Sequence, residues 1–361
     1  FIEETEKKLD MEITVEKCPS NADNRQAKIS TILASGDKNI DLISVNDEMI
    51  SEFKHKGYLE PLEKNVMTEE VRDSFPQKYL ESICEENGHI YSVPFQMDIM
   101  MFWVNQELLK QAGLDEIKNT GDFDILQKSL KNPDQYAYGD AWENTHVYNS
   151  LSQFVNFWGG DYFDWTDPKT KDAARYMKSM LDEKNTSPAQ FVDQYEQMEE
   201  KFIRGKYGCV FMYTSALGTF LDADVYGKNK IHMAPLPVLH KKKATNIATW
   251  QYVLNNASEN KDAAVRFLQY AAGYEGSTEY AKIMKSYPAR VDVIENEDID
   301  LEGIDMIRKY LREYTLNARP LCENSMGAVS DMGKLFQGYV LGQCEEDRFF
   351  EQAQNCINTY Y

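Results

Sequence analysis

The stretch Asn87–Gly113, NGHIYSVPFQMDIMMFWVNQELLKQAG, constrains this chain more than any other. It reads as a turn, a short strand, a proline stop, a second apolar strand and an amphipathic helix closed by Gly113. The second strand carries one acid, Asp98, into an apolar run that ends at Asn105 and becomes helix. A strand that leaves one lobe and opens the next is a hinge element, so a two-lobed molecule is predicted. With 361 residues the chain is long enough for two domains and a cleft between them.

Strand and helix signals alternate on either side. Met11–Lys17 alternates apolar and polar residues, as a half-buried strand does. Asn24–Ser35 places Ile29, Ile32 and Leu33 on one helical face and stops at Gly36. Asp41–Val45 reads as a short buried strand, with Asn46 and Asp47 placed to cap the helix that follows to Gly57. This rhythm predicts a mainly parallel sheet in an α/β fold. Beyond Asn105 come a strand signal at Gln135–Asp140, an apolar helix Val147–Trp158 and a helix from Pro168. Strand Tyr207–Tyr213 follows, and Thr245–Leu254 is a long strand able to return to the first lobe. The C-terminal segment is helical by apolar spacing, with Gly342 as a break. The expected lobes are residues 1–103 with 251–300, and residues 104–250 with 301–361.

Charge and motifs narrow the chemistry. A net charge of −20 argues against nucleic acid and against an anionic membrane surface. No apolar run approaches the ~20 residues a membrane span needs. The chain opens with FIEETEKKL, a helix pattern rather than a signal peptide, and a first strand is expected upstream of Phe1. GxGxxG, GxxxxGK[ST], HExxH and GxSxG are all missing, and two SxxK matches are short enough to be chance. Asp298, Asp300 and Glu302 mimic a calcium loop, but its twelfth position is Lys309. No metal or cofactor is expected. Six cysteines lie scattered without a CxxC; one pair among Cys322, Cys344 and Cys356 could bridge.

Aromatic residues are the positive signal: 22 Tyr, 17 Phe and 5 Trp. Trp103 and Trp158, in apolar runs, are expected in the core. Trp142, in the loop DAWENTHVYN, and Trp250, on the strand ATWQYV, are expected at a site. Flat aromatic faces cover the C–H faces of sugars, while amides and acids take the hydroxyls.

The order of features resembles the extracellular solute-binding proteins of ABC importers, specifically the maltose-binding-protein-like carbohydrate binders. GYLEPLEKN, GHIYSVPFQMDIMMFWVNQELLKQAGL, FWGGDYFD, FIRGKYGCVFMY, IHMAPLPV and FFEQAQNCIN carry it over essentially the whole length. Val104 replaces the usual tyrosine before the hinge asparagine, and Asn119–Phe123 replaces a proline-threonine-tryptophan turn. The resemblance implies a type II periplasmic-binding-protein-like fold, two α/β lobes hinged about a ligand cleft, closing on an oligosaccharide without chemistry. It implies ligand contacts at Asn46, Asp47 and Asp98 and at Trp142, Asn144, Tyr148 and Asn149. Further contacts are implied at Tyr213, Trp250, Arg290, Asn324 and Ser325. It also implies permease partners, a monomer, and an extracellular lipoprotein or periplasmic location. A binder of polyamines or other cations, using Asp47, Asp98 and aromatic boxes, is the first alternative. A glycosidase with paired carboxylates is the second.

Overall fold

The computed structural model describes residues 1–19 and 22–361, with side chains omitted for Ala22 and Asp23. The strands are β1 (Leu42–Asn46), β2 (Glu85–Glu86), β3 (His89–Ile90), β4 (Val93–Asn105), β5 (Tyr136–Gly139), β6 (Tyr207–Tyr213), β7 (Ile231–Ala234), β8 (Ala244–Leu254) and β9 (Thr315–Ala318). The chain divides into two compact units. The first comprises Phe1–Asp98 and Ala248–Ile304, the second Ile99–Ile247 and Asp305–Tyr361. Chain connectivity crosses between them three times, within β4, within β8, and at Ile304–Asp305.

In the first unit β1 runs antiparallel to the far half of β8, from Leu42 opposite Leu254 to Asn46 opposite Trp250. The β2–β3 hairpin turns through Asn87 and Gly88, both at positive φ (53° and 79°), as a tight two-residue turn demands. Phe95 stacks on Tyr252 at 4.1 Å. Val45, Ile50, Phe53, Leu268 and Ala281 are fully buried.

In the second unit the far half of β4 runs antiparallel to both β6 and β7. β5 lies parallel to β6, and β9 parallel to the near half of β8. Tyr138, Phe154, Phe157 and Phe211 form the centre of its core, with ring centroids 5.4 to 6.2 Å apart. Trp103 is buried and donates Nε1–H to the Met212 carbonyl at 2.9 Å. Trp158, also buried, stacks on His240. Asn105 caps the helix Gln106–Gln111 by accepting from Glu107 and Leu108 N–H.

Two expectations are corrected. The sheet contacts are mixed rather than mainly parallel, because β4 and β8 are long strands that pair with antiparallel neighbours. Met11–Lys17 forms no strand: the segment is mostly exposed, and no described strand pairs with it. Alternation permits a strand, but a ladder partner makes one.

Candidate functional site

In the second unit, three residues singled out from sequence meet. Tyr213, at the end of β6, donates its hydroxyl to Asn149 Oδ1 at 2.9 Å. Tyr148 precedes Asn149 in the helix Val147–Trp158 and accepts from Arg319 Nη1 at 2.7 Å. The Arg319 guanidinium lies 5.9 Å from the Tyr148 ring centre and 5.8 Å from that of Tyr213. Tyr195 extends the group, 5.9 Å from Tyr213 and 5.6 Å from His146. A cavity of about 280 Å³ opens beside it, lined by Tyr195, Glu196, Glu199, Tyr213, Ser215 and Thr219. Burial pushes the Glu199 carboxyl above its ordinary value, against the opposing hydrogen bond from Thr219. The cavity wall combines the Tyr195 and Tyr213 phenols with the Ser215 and Thr219 hydroxyls, which suits a polyhydroxylated solute, while Tyr148, Asn149 and Arg319 are buried beside it.

The loop beside this cluster is rigidly built. Asp140, buried at the end of β5, accepts from Tyr138 Oη (2.7 Å), Trp142 Nε1 (2.9 Å), Ser150 Oγ (2.5 Å) and Ala141 N (2.8 Å). Burial pushes its carboxyl upward, and those four donors pull it back. Glu143 accepts from Thr145 N–H (2.9 Å) and Oγ (2.6 Å), and lies 3.1 Å from His146 Nδ1. Burial raises the Glu143 carboxyl, but Thr145 and His146 outweigh it and hold the group below the ordinary range. Gln337, on the helix Ser325–Val340, donates to the carbonyls of Trp142 (2.6 Å) and Phe191 (3.1 Å). Gly333 brings the same helix so close that an added Cβ would fall 2.0 Å from the Asn144 carbonyl oxygen. Asn144 Oδ1 is buried with no hydrogen-bond partner among the described residues.

In the first unit, Asn46 and Trp250 stand directly opposite in the β1–β8 ladder and so share a face. The Arg25 guanidinium covers the Trp250 ring at 5.4 Å. Asp47, fully buried, opens the helix Asp47–His55 and accepts from Tyr79 Oη at 3.0 Å. Asn46 precedes that helix, but its amide donates to Glu48 Oε2 (3.0 Å) and does not cap it. Asp98 is the last residue of this unit on β4.

The structure gives four of the sequence-derived residues other work. Trp142 is 0% exposed, wedged edge-on against Phe191 and Phe336, so its ring is core and cannot stack on a solute. Arg290 is bound by Asp292, the Ala272 carbonyl and Ser74 Oγ, and ties together segments of the first unit. Asn324 caps the helix Ser325–Val340 through Gly327 N–H. Ser325 is buried and exchanges hydrogen bonds with Cys322 backbone. Tyr195 and Arg319 escaped the sequence reading. Neither stands in a motif. Asp140 carried a usable signal, an acid closing the apolar strand YAYG. All six cysteines are free thiols. Among the described residues no His, Cys, Asp and Glu group could hold a metal, and no helix is long and apolar enough to cross a membrane.

Comparison with known proteins gives concordant results. The sequence model of the bacterial extracellular solute-binding protein family matches residues 3–278. A Sinorhizobium fredii protein named a probable amino-acid ABC transporter periplasmic-binding protein is 24% identical over 63% of this chain and 54% of its own length. The arabinooligosaccharide-binding protein of Bacillus subtilis is 22% identical over 75% of this chain and 65% of its own length. The chain thus spans less than two thirds of either relative. In structure it is similar to a Thermotoga lettingae ABC transporter solute-binding protein bound with alpha-D-tagatose. That match has a TM-score of 0.84 at 18% identity, covering 99% of this chain and 94% of the other.

Proposed function

Because the chain belongs to the bacterial extracellular solute-binding protein family, we propose that it captures a carbohydrate, an oligosaccharide by preference, and hands it to the transmembrane subunits of an ABC importer. The observation that carries this reading is the cavity lined by Tyr195 and Tyr213, with Tyr213 bonded to the buried Asn149 and packed against Arg319, itself bonded to the buried Tyr148. Phenol rings supply apolar faces for the C–H surface of a sugar ring, and the Ser215 and Thr219 hydroxyls supply the polar rim. The names of the Bacillus subtilis relative and of the Thermotoga lettingae complex support the same class of solute.

The proposal extends to capture by hinge closure, in which a solute is held because it binds the closed state better than the open one. No bond in the solute is made or broken, so the protein acts as a carrier and not as a glycosidase. Attachment to the cell surface through a lipid, and a monomeric state, belong to the same proposal.

A cationic solute is the second reading, favoured by Glu196 and Glu199 in the cavity wall. Burial weakens it by pushing Glu199 toward its neutral form. A thermal-shift panel separates the two. Arabinotriose, maltotriose, tagatose, spermidine and a mixture of amino acids are each added to the protein. A solute at a hundred times its Kd stabilises the folded state by about 2.7 kcal/mol, which reads as a clear rise in melting temperature. The expected outcome is a rise with an oligosaccharide alone. A rise with spermidine or with the amino acids, and none with any sugar, would overturn the carbohydrate reading.

A further inference from the structure

We infer that the cavity of the second unit selects a sugar that carries an amine, and that Glu199 is the residue that determines this preference. The inference deepens the carbohydrate reading of that cavity and rests on it.

Three local elements build the cavity wall. The helix Tyr195–Ile203 presents Tyr195 and Glu199 four residues apart on one face, with Glu196 three residues before Glu199. Ser215, which precedes the helix Ala216–Asp222, and Thr219 within it repeat the four-residue spacing. Strand β6 contributes Met212 and Tyr213 at its end. The Tyr195 and Tyr213 rings lie 5.9 Å apart with their planes tilted by 45°, so neither ring stacks flat on the other.

The acids of this wall differ from the other acids of the unit in what answers their charge. Asp140 accepts from four donors, and Glu143 accepts from Thr145 beside His146. Asp193 has the Lys201 ammonium, and Glu200, next along the helix from Glu199, has Arg204. Among the described residues neither Glu196 nor Glu199 has an ion-pair partner, and no lysine or arginine lines the cavity. Glu196 is exposed, so water serves it. Glu199 is half-buried: burial pushes its carboxyl above the ordinary value, the neutral Thr219 hydroxyl opposes that, and the Glu196 charge adds to it.

A neutral sugar that fills the cavity strips water from Glu199 and returns no counter-charge, so its binding carries the cost of a desolvated carboxylate. An ammonium on the sugar ring supplies that charge and donates to the carboxylate as a charge-assisted bond, the stronger kind. The two phenol rings then take the C–H face, and Ser215 serves the ring hydroxyls. A linear polyamine offers the charge without the ring face or the hydroxyls. An amino sugar is the class that uses the acid, the rings and the hydroxyls together.

The test is calorimetric titration of the full chain at neutral pH with three trisaccharides of one linkage: β-1,4-linked glucosamine, its N-acetylated form, and cellotriose. The glucosamine trisaccharide is expected to bind roughly tenfold more tightly than the other two. Glu199→Gln, which keeps the shape and removes the charge, should bring the three affinities within about threefold of one another. Glu196→Gln should reduce the preference less. Should Glu199→Gln fail to fold, Glu199→Ser takes its place. Equal affinities in the wild type, or a preference that survives Glu199→Gln, would overturn the inference and leave the carbohydrate reading standing. A loss in Glu196→Gln as large as that in Glu199→Gln overturns the assignment to Glu199. Failure of the glucosamine trisaccharide to bind also overturns the inference. Arabinotriose and spermidine then decide the wider reading: it stands if arabinotriose binds and falls if spermidine alone does.

Discussion

The two units build their shares of the candidate site by different physics. The second unit wedges its loop into aromatic packing: Trp142 fills space between Phe191 and Phe336, and Gly333 lets a helix touch the Asn144 backbone. In the first unit a line of buried hydrogen bonds runs from the Cys84 thiol through Gln251 and Tyr79 to the Asp47 carboxyl. A wall made by packing fails through lost stability when a residue is truncated, because cavities and clashes cost free energy throughout the fold. A line of hydrogen bonds fails through the partner left unpaired, because isosteric loss of one hydroxyl leaves the packing in place. Position in a wall therefore predicts which measurement moves.

Three variants of the second unit would break or sharpen this contrast. Trp142→Ala should lower unfolding free energy by about 3–5 kcal/mol, measured by urea denaturation, since a fully buried indole and its bond to Asp140 are lost. This replaces the expectation from sequence that Trp142 stands at a site. A loss under about 1 kcal/mol would show that the loop is not packed as described. Gly333→Ala should cost about 1–3 kcal/mol, because the new methyl meets a backbone carbonyl that has little room to retreat. Unchanged melting would mean that the helix Ser325–Val340 stands off from the loop.

The smallest effect concerns Glu143. Its folded-state carboxyl is held below the ordinary glutamate value by Thr145 and His146. A depressed carboxylate contributes stability above its unfolded pKa and loses it as the pH falls through the folded one. Wild type should therefore lose stability faster than Glu143→Gln as pH falls below the ordinary glutamate range. Thermal melts across that range read it directly, and parallel curves would remove the pair from the description of the loop.

Much of the backbone was legible from local signals. Gly113, Gly159 and Gly342 all take positive φ at helix ends, as their placement suggested. The capping box of Asn119 and Asp122, which starts the helix at Thr120 and not at Phe123, went unread. Strands Tyr207–Tyr213 and Ala244–Leu254 lie where their apolar runs predicted. The candidate site was less legible. Tyr148, Asn149 and Tyr213 were found and meet one another, but Arg319, which sits over two of their rings, was not. Arg290 looked equally suited to a solute and is consumed by Asp292, Ser74 and Ala272.

Sequence by itself determined where the chain extends, coils and turns, because periodicity, caps and glycines act within a few residues of themselves. Tertiary structure alone decided that Trp142 is core, that Met11–Lys17 finds no ladder, and that Arg319 joins Tyr148. Each of those outcomes turns on a partner far away along the chain. Arg319 and Tyr148 are 171 positions apart, as are Gln251 and Tyr79 by 172. A side chain's residue type states what it can bond or bury, and only the folded neighbourhood states what is there to meet it.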